Sequence, residues 1–159
     1  MPTPIQTAVE NALGALVASM PANDAEVADK WADVAEAFFG ALVNPVWTDP
    51  GKVVGRAAFK VAFVGCPPVA GFTNAGLTGV TAGFVAWAAC GTVPANTTGI
   101  PVVLLPTGPL DLSSAIATVA LLDPLPSDHK PAATAISNAL VTWACTGLTG
   151  TPAAPTPWA

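Results

Sequence analysis

The first forty residues arrange hydrophobic and polar positions in a pattern that predicts two amphipathic helices. Thr3, Pro4 and Gln6 form a capping-box start for the first helix, and Asn23 with Glu26 forms a similar start for the second. Apolar residues then recur at three- and four-residue steps, which is the helical period. The inner positions predicted in this way are Ile5, Val9, Ala12, Leu16 and Met20 in the first helix and Val27, Trp31, Val34, Phe38 and Leu42 in the second. The two helices and their short link form an N-terminal αα-hairpin.

A third helical pattern begins at Asp49 and is closed by Pro67 and Pro68. Its basic residues share one face, at Lys52, Arg56 and Lys60. A second face carries only apolar residues, at Val53, Ala57, Val61 and Val64. The end of this segment also alternates with the two-residue period of a strand, but helix is the favoured interpretation.

The rest of the chain predicts shorter elements separated by proline and glycine. They are a Gly-rich helix from about 74 to 89, an edge strand over Ile100–Leu105, a short helix capped by Asp111 or Ser113, and a last helix from about Pro131. Four prolines between 93 and 112 exclude a regular helix there. The inward positions of the last helix are Ala133, Ile136, Leu140 and Trp143.

Residues 149–159 contain three prolines and no apolar period, which is typical of a mobile or partner-dependent tail. The sequence therefore predicts a mainly α protein with one globular domain over 1–148 and a Pro-rich tail over 149–159. The domain comprises the N-terminal αα-hairpin, further Ala- and Gly-rich helices and short edge β or extended segments.

Charged residues make up only 9% of the 159 positions, against about 25% in an ordinary soluble domain. So few charges do not cover the surface of an independent monomer, and obligate subunit contacts are a natural place for the remaining apolar surface. The formal net charge of -5 argues against a nucleic-acid partner, because phosphate neutralisation needs clustered Lys and Arg.

A membrane span is not expected, although no charged residue occurs between Lys60 and Asp111. Prolines and asparagines interrupt this stretch before it reaches roughly 20 apolar residues. Gly79 and Gly83 form a GxxxG pattern, which fits a helix pair in lipid or a soluble helix packed closely on a neighbour. The N-terminal residues lack the pattern of a signal peptide, so we expect synthesis and folding in the cytoplasm.

Candidate chemistry is sparse. Cys66, Cys90 and Cys145 lie far apart and without zinc-site spacing, which predicts reduced, buried thiols and no metal site. The single histidine, His129, follows Asp128 at the expected start of the last helix. The favoured interpretation is that Ser127 or Asp128 caps this helix and His129 is solvated, and a catalytic His129 is the alternative. Nucleotide-binding motifs are missing, so we expect no cofactor and no enzymatic activity. A small enzyme that uses a cysteine with His129 is the alternative, as is a membrane-associated protein that uses the Gly-rich helix.

Two features are candidate partner-binding sites. The basic face of Lys52, Arg56 and Lys60 either docks an acidic partner surface or keeps one helix face solvated. Trp158 in the Pro-rich tail either anchors in a neighbour's pocket or has no role.

The chain resembles small structural proteins of tailed-bacteriophage virions. The features that carry this resemblance are Ala-rich amphipathic helices, Thr- and Gly-rich stretches such as 91–93 and 146–151, and very low charge. The resemblance implies a non-enzymatic subunit made in the host cytoplasm. It also implies assembly with copies of itself and with other virion proteins into the capsid, neck, tail or baseplate.

Overall fold

A computed structural model of the chain describes residues 3–19, 21–42, 49–65, 77–91, 102–122, 128–151 and 154–158. Within these ranges there are six helices and three strands, which confirms the predicted mainly α class. The helices are α1 Pro4–Ser19, α2 Asp24–Ala41, α3 Asp49–Val64, α4 Thr78–Ala88, α5 Leu112–Leu122 and α6 Lys130–Ala144. The strands are β1 Val102–Leu104, β2 Leu148–Thr151 and β3 Ala154–Pro157.

Local side-chain caps start the helices where the sequence predicts them. The Thr3 backbone N–H donates to Gln6 Oε1 at 2.8 Å, and the Gln6 N–H donates back to Thr3 Oγ1 at 3.2 Å. The Glu26 N–H donates to Asn23 Oδ1 at 3.0 Å at the start of α2. The Ser114 N–H donates to Asp111 Oδ1 at 2.9 Å at the start of α5. These bonds satisfy N–H groups that have no partner inside a helix, so they fix the helix starts.

The helices pack in the spatial order α5, α6, α1, α2, α3, α4, each against the next. The hydrophobic core follows this row, and the inward positions predicted for α2 and α6 lie in it. Trp31, Val34, Phe38 and Leu42 are buried in and just after α2, and Ala133, Ile136, Leu140 and Trp143 are buried in α6. Val27, the remaining predicted position of α2, is half-buried and packs against the core, so the predicted inner faces of these two helices are confirmed.

The closest helix contact joins α3 and α4 through two glycines and two aromatic rings. A Cβ placed on Gly55 of α3 would lie 2.5 Å from Nε1 of Trp87, and one placed on Gly83 of α4 would lie 2.6 Å from Cε2 of Phe59. Each helix therefore presents a notch that receives the aromatic side chain of the other. Phe59 and Trp87 are both completely buried, and their ring centroids are 6.4 Å apart. This contact decides which side of α3 faces the core.

The C-terminal residues form part of the fold, which corrects the predicted tail over 149–159. Antiparallel pairing gives a sheet in the order β1-β2-β3, and the predicted boundary at 148/149 falls inside β2. Trp158 is completely buried in the core. A Cβ on Gly147 would lie 2.9 Å from the Trp158 ring, so the glycine allows the ring to pack on the backbone. The backbone N–H of Trp158 also donates to the Gly147 carbonyl at 3.1 Å.

The prolines of β3 are compatible with a strand because of their register. The Trp158 N–H points to β2, and N–H groups two residues apart in a strand point to the same side. The backbone N–H groups of residues 154 and 156 therefore point to β2. The backbone nitrogens of Pro155 and Pro157 point to the outer edge, where no hydrogen bond of the sheet needs a donor. Prolines at these positions give β3 an outer edge that another strand cannot extend easily.

Candidate assembly surface

One side of α3 is exposed although every residue on it is apolar. Val53 is 71% exposed, Val54 55%, Val61 75% and Val64 62%, and Ala57 between them is exposed as well. We call these five residues the valine face. The opposite side of the helix holds Gly55 and Phe59 and is buried against α4. The apolar face that the sequence places on α3 thus points outward, and Val54 belongs to it too.

The spacing of the valine face matches that of a coiled-coil seam. Val54, Ala57, Val61 and Val64 follow one another at steps of three, four and three residues, as the a and d positions of two heptads do. At 1.5 Å rise per residue, this seam is about 15 Å long. An exposed seam of this kind is suited to contact with another protein surface.

Exposed apolar side chains concentrate on α3 in the part of the chain that the structure describes. Four of the seven large hydrophobic residues that are exposed there belong to the valine face. The other three are scattered, with Val17 on α1, Val85 on α4 and Leu105 after β1. Single exposed hydrophobic residues are normal on a protein surface, whereas a contiguous group marks an interaction site.

Ion pairs between α2 and α3 line one flank of the valine face. The Arg56 guanidinium lies 2.8 Å from Asp33 Oδ1, 3.2 Å from Asp29 Oδ1 and 3.3 Å from Glu36 Oε2. Arg56 also donates to the backbone carbonyl of Asp29 at 3.2 Å, and Lys60 Nζ donates to Asp29 Oδ1 at 2.8 Å. The acidic surface that these two basic residues meet is therefore the chain's own α2.

The ion pairs shift the pKa values of two of their members. The hydrogen bond from Lys60 holds the pKa of Asp29 below its ordinary value, against an opposing effect of burial, and Arg56 adds to the lowering. Burial alone would lower the pKa of Arg56, but hydrogen bonds to Asp33 and Asp29 outweigh it, so the pKa of Arg56 is raised. Both shifts favour the charged forms and hence the contact between α2 and α3.

The four predicted partner-binding residues do not lie together as one surface. Arg56 and Lys60 are engaged with α2, and Lys52 is half-buried in a shallow depression that Asp33 and Glu36 also line. Trp158 lies in the core, so its predicted role as an anchor in a neighbour's pocket is wrong for this conformation. The periodicity of α3 does not reveal that the valine face points outward, and this exposed face is the candidate assembly surface.

His129 and Cys145 are not arranged as a catalytic pair. His129 and Cys145 stand at opposite ends of α6, which separates them by about 24 Å along the helix. His129 packs against α1, where a Cβ on Gly14 would lie 3.0 Å from its Nε2. Cys145 is exposed, contrary to the prediction of buried thiols, because it follows the last buried turn of α6. Cys66 lies outside the described residues.

The Gly-rich helix α4 uses its small residues inside the protein. Gly83, one half of the GxxxG pattern, receives the Phe59 ring, as the soluble-helix interpretation predicts. Among the helices that the structure describes, none combines the length and the apolarity that a membrane crossing requires. The described residues also hold no cluster of His, Cys, Asp or Glu that would bind a metal ion.

A groove of about 550 Å³ between α5 and α6 is the other notable depression. Three alanines and Trp143 contribute to its walls, and three of its four polar residues make bonds within the protein. Asp111 caps α5, Asn138 Oδ1 accepts from Gln6 Nε2 at 2.9 Å, and Thr146 Oγ1 accepts the Gly108 N–H at 3.1 Å. These polar groups hold elements together and are not aimed at a ligand.

Comparisons of the chain with protein-family models, with curated proteins and with solved structures return no match. The geometry of the described surface therefore carries the functional inference.

Proposed function

We propose that this protein is a non-enzymatic structural subunit that acts through protein–protein assembly. The observation that carries the proposal is the valine face, a group of exposed apolar side chains on a helix whose opposite side is buried. The virion of a tailed bacteriophage is the setting that the resemblance in composition and texture implies. In that setting the chain is made in the host cytoplasm and is incorporated into the particle with other copies of itself and with other virion proteins.

The energetics of the valine face favour a repeated assembly over an isolated tight complex. Burying a valine fully contributes about 1.5–3 kcal/mol. Covering the exposed parts of the four valines of the valine face therefore contributes roughly 4–8 kcal/mol. Association costs about 4–15 kcal/mol in lost freedom of motion. The partner's surface adds a contribution of similar size, but the total remains of the same order as this cost, so one such contact is weak by itself. A subunit that makes several contacts in an array gains stability from their combined effect.

Low charge supports the same proposal. With only 5 basic and 10 acidic residues, the chain has little charge to keep its surface hydrated. Three of the basic residues and three of the acidic residues are already paired with each other between and within α2 and α3. A surface of this kind suits subunit contacts better than prolonged life as a free monomer.

Two measurements test the proposal. Sedimentation velocity and native mass spectrometry of the full chain are expected to show oligomers whose population rises with protein concentration. Mass spectrometry of purified phage particles is expected to find this chain in a fixed ratio to the other virion proteins. A monomer up to millimolar concentration, together with its absence from particles, would contradict the proposal.

A further inference from the structure

We propose that the valine face binds the valine face of a second copy of this chain, with the two α3 helices packed antiparallel about a two-fold axis. This inference rests on the proposed function and adds to it the identity of the partner and the geometry of the contact. The observations that carry it are the symmetry of the seam and the charge balance beside it.

The seam is complementary to itself in the antiparallel direction. Its steps of three, four and three residues read the same from either end. A two-fold axis that passes between Ala57 and Val61 sets Val54 against the partner's Val64. It also sets Ala57 against the partner's Val61. A small side chain then faces a large one at the centre, which allows close packing of two helices. An isologous contact of this kind closes on itself as a dimer.

The charges beside the seam allow two copies to approach. Asp29, Asp33 and Glu36 are matched by three cations, Lys30, Arg56 and Lys60. Lys52 at the margin of this flank adds one further positive charge, so the flank is close to neutral although each chain carries a formal charge of -5. A highly acidic or basic partner would gain little here, because six of these seven charges are already paired within the chain.

A membrane surface fits the valine face less well than a second copy does. Helices that lie on membranes keep Lys and Arg on their polar face, free to meet anionic lipid. On α3 the corresponding Arg56 and Lys60 are held by α2. The seam is also only about 15 Å long, which suits two heptads of a helix pair.

The size of the seam predicts reversible dimerisation. A stable interface buries about 800 Å² on each partner, and two heptads of valine and alanine supply only part of that area. We therefore expect a dimer that dissociates on dilution and that other subunit contacts reinforce in a larger assembly.

The first test compares two charge insertions at exposed valines in sedimentation velocity. Val61→Lys places an ammonium group in the centre of the seam and is expected to weaken dimerisation at least tenfold. Val17→Lys is the matched control, because Val17 is 51% exposed on α1 and lies outside the seam. Val17→Lys should dimerise as the unmodified chain does. Circular dichroism melting curves should show both variants folded, since both positions are exposed.

The second test determines the direction of the helices. A photo-crosslinking amino acid at position 64 is expected to react with the partner around position 54 if the helices are antiparallel. A parallel pair would instead give products around position 64. Mixing isotope-labelled and unlabelled chains identifies the crosslinks that join two copies.

The outcomes separate this inference from the proposed function. Oligomers that tolerate Val61→Lys, or crosslinks that lead away from α3, overturn the α3 pairing and leave self-assembly standing. A chain that is monomeric at every concentration but present in particles overturns the pairing and leaves a role with other subunits. Loss of the dimer in Val61→Lys alone, with crosslinks between positions 64 and 54, supports the antiparallel pair.

Discussion

At the scale of single residues, two glycines determine how closely α3 and α4 approach. Gly55 and Gly83 each leave room for an aromatic ring of the other helix. The GxxxG pattern in the sequence indicates that α4 packs closely on some neighbour. It does not indicate which ring enters the notch, because Phe59 and Gly83 are far apart in the chain and meet only in the folded protein.

Gly83→Ala is expected to destabilise the protein by up to about 2 kcal/mol. Alanine is the better helix former by about 1 kcal/mol, but overpacking a core costs about 1–3 kcal/mol. The Phe59 ring has little room to move, because its centroid is only 5.6 Å from that of Phe84 and its side chain is fully buried. Urea unfolding followed by circular dichroism measures the change.

Gly40→Ala is the control for this experiment. Gly40 lies in α2 and no atom of another side chain lies within 4 Å of the position of an added Cβ. We expect this variant to be unchanged or up to about 1 kcal/mol more stable, since only the gain in helix propensity applies. A Gly83→Ala variant as stable as Gly40→Ala would show that the Phe59 ring can move away from position 83 at no cost in stability.

At the scale of elements, the sequence predicts α3 and its two faces correctly but not which of them faces the core. A charged helix face normally points to solvent and an apolar face inward. Here the acidic residues of α2 attract Arg56 and Lys60, and the notch at Gly55 turns the opposite side of the helix toward α4. Both causes depend on partner residues in other helices, the carboxylates of α2 and the Trp87 ring of α4, so the periodicity of α3 alone does not reveal them.

Arg56→Met is expected to lower stability by about 1–2 kcal/mol, because it removes a charged hydrogen-bond donor shared by three carboxylates. The same carboxylates then repel one another without their main counterion. Lys52→Met is the matched control, since it removes one positive charge from the same helix at the margin of the network. Thermal melting at low and high salt should separate the two variants. Equal melting temperatures for both would mean that the Arg56 contacts contribute no net stability.

Asp29 gives a pH dependence whose sign follows from its lowered pKa. Its ordinary value is 3.8, and the folded protein holds the pKa below that value. The stabilisation is therefore fully present above pH 3.8 and is lost as the pH falls through the lower, folded pKa. Because the pair is exposed, we expect Asp29→Asn to cost less than about 1 kcal/mol near neutral pH.

The test of this prediction is the difference in stability between the unmodified chain and Asp29→Asn across acid pH. We expect the difference to shrink as the pH falls below 3.8 and to be nearly constant from pH 5 to 7. A difference that grows toward acid pH would contradict the lowered pKa.

At the scale of the whole molecule, periodicity predicts the six helices and the edge strand that the structure describes but misses the C-terminal hairpin. Helices have apolar periods and capping residues that are visible locally, and Asp111 and Asn23 cap as predicted. In β3 the prolines conceal the strand. Pro155 and Pro157 are two residues apart, which is the period of a strand. The sequence alone does not show that this strand pairs with β2 through one edge and leaves the prolines on the other.

The burial of Trp158 makes the C-terminal residues part of the monomer's core and not a mobile tail. Trp158→Ala is expected to cost about 3–5 kcal/mol, as truncation of a buried aromatic side chain does. Deletion of residues 152–159 removes β3 as well and should abolish cooperative unfolding. The measurement is chemical denaturation of each variant at a concentration where the unmodified chain is monomeric, so that subunit contacts do not contribute.

Pro157→Ala serves as the control, because Pro157 is exposed at the outer edge beside Trp158. We expect it to change stability by less than about 1 kcal/mol, mainly through the flexibility of the unfolded chain. The decisive comparison is between folding and assembly. If Trp158→Ala keeps the stability of the unmodified monomer but no longer forms oligomers, Trp158 belongs to a subunit contact and not to the core. If instead stability falls and Pro157→Ala remains unaffected, the C-terminal strand is an integral part of the domain.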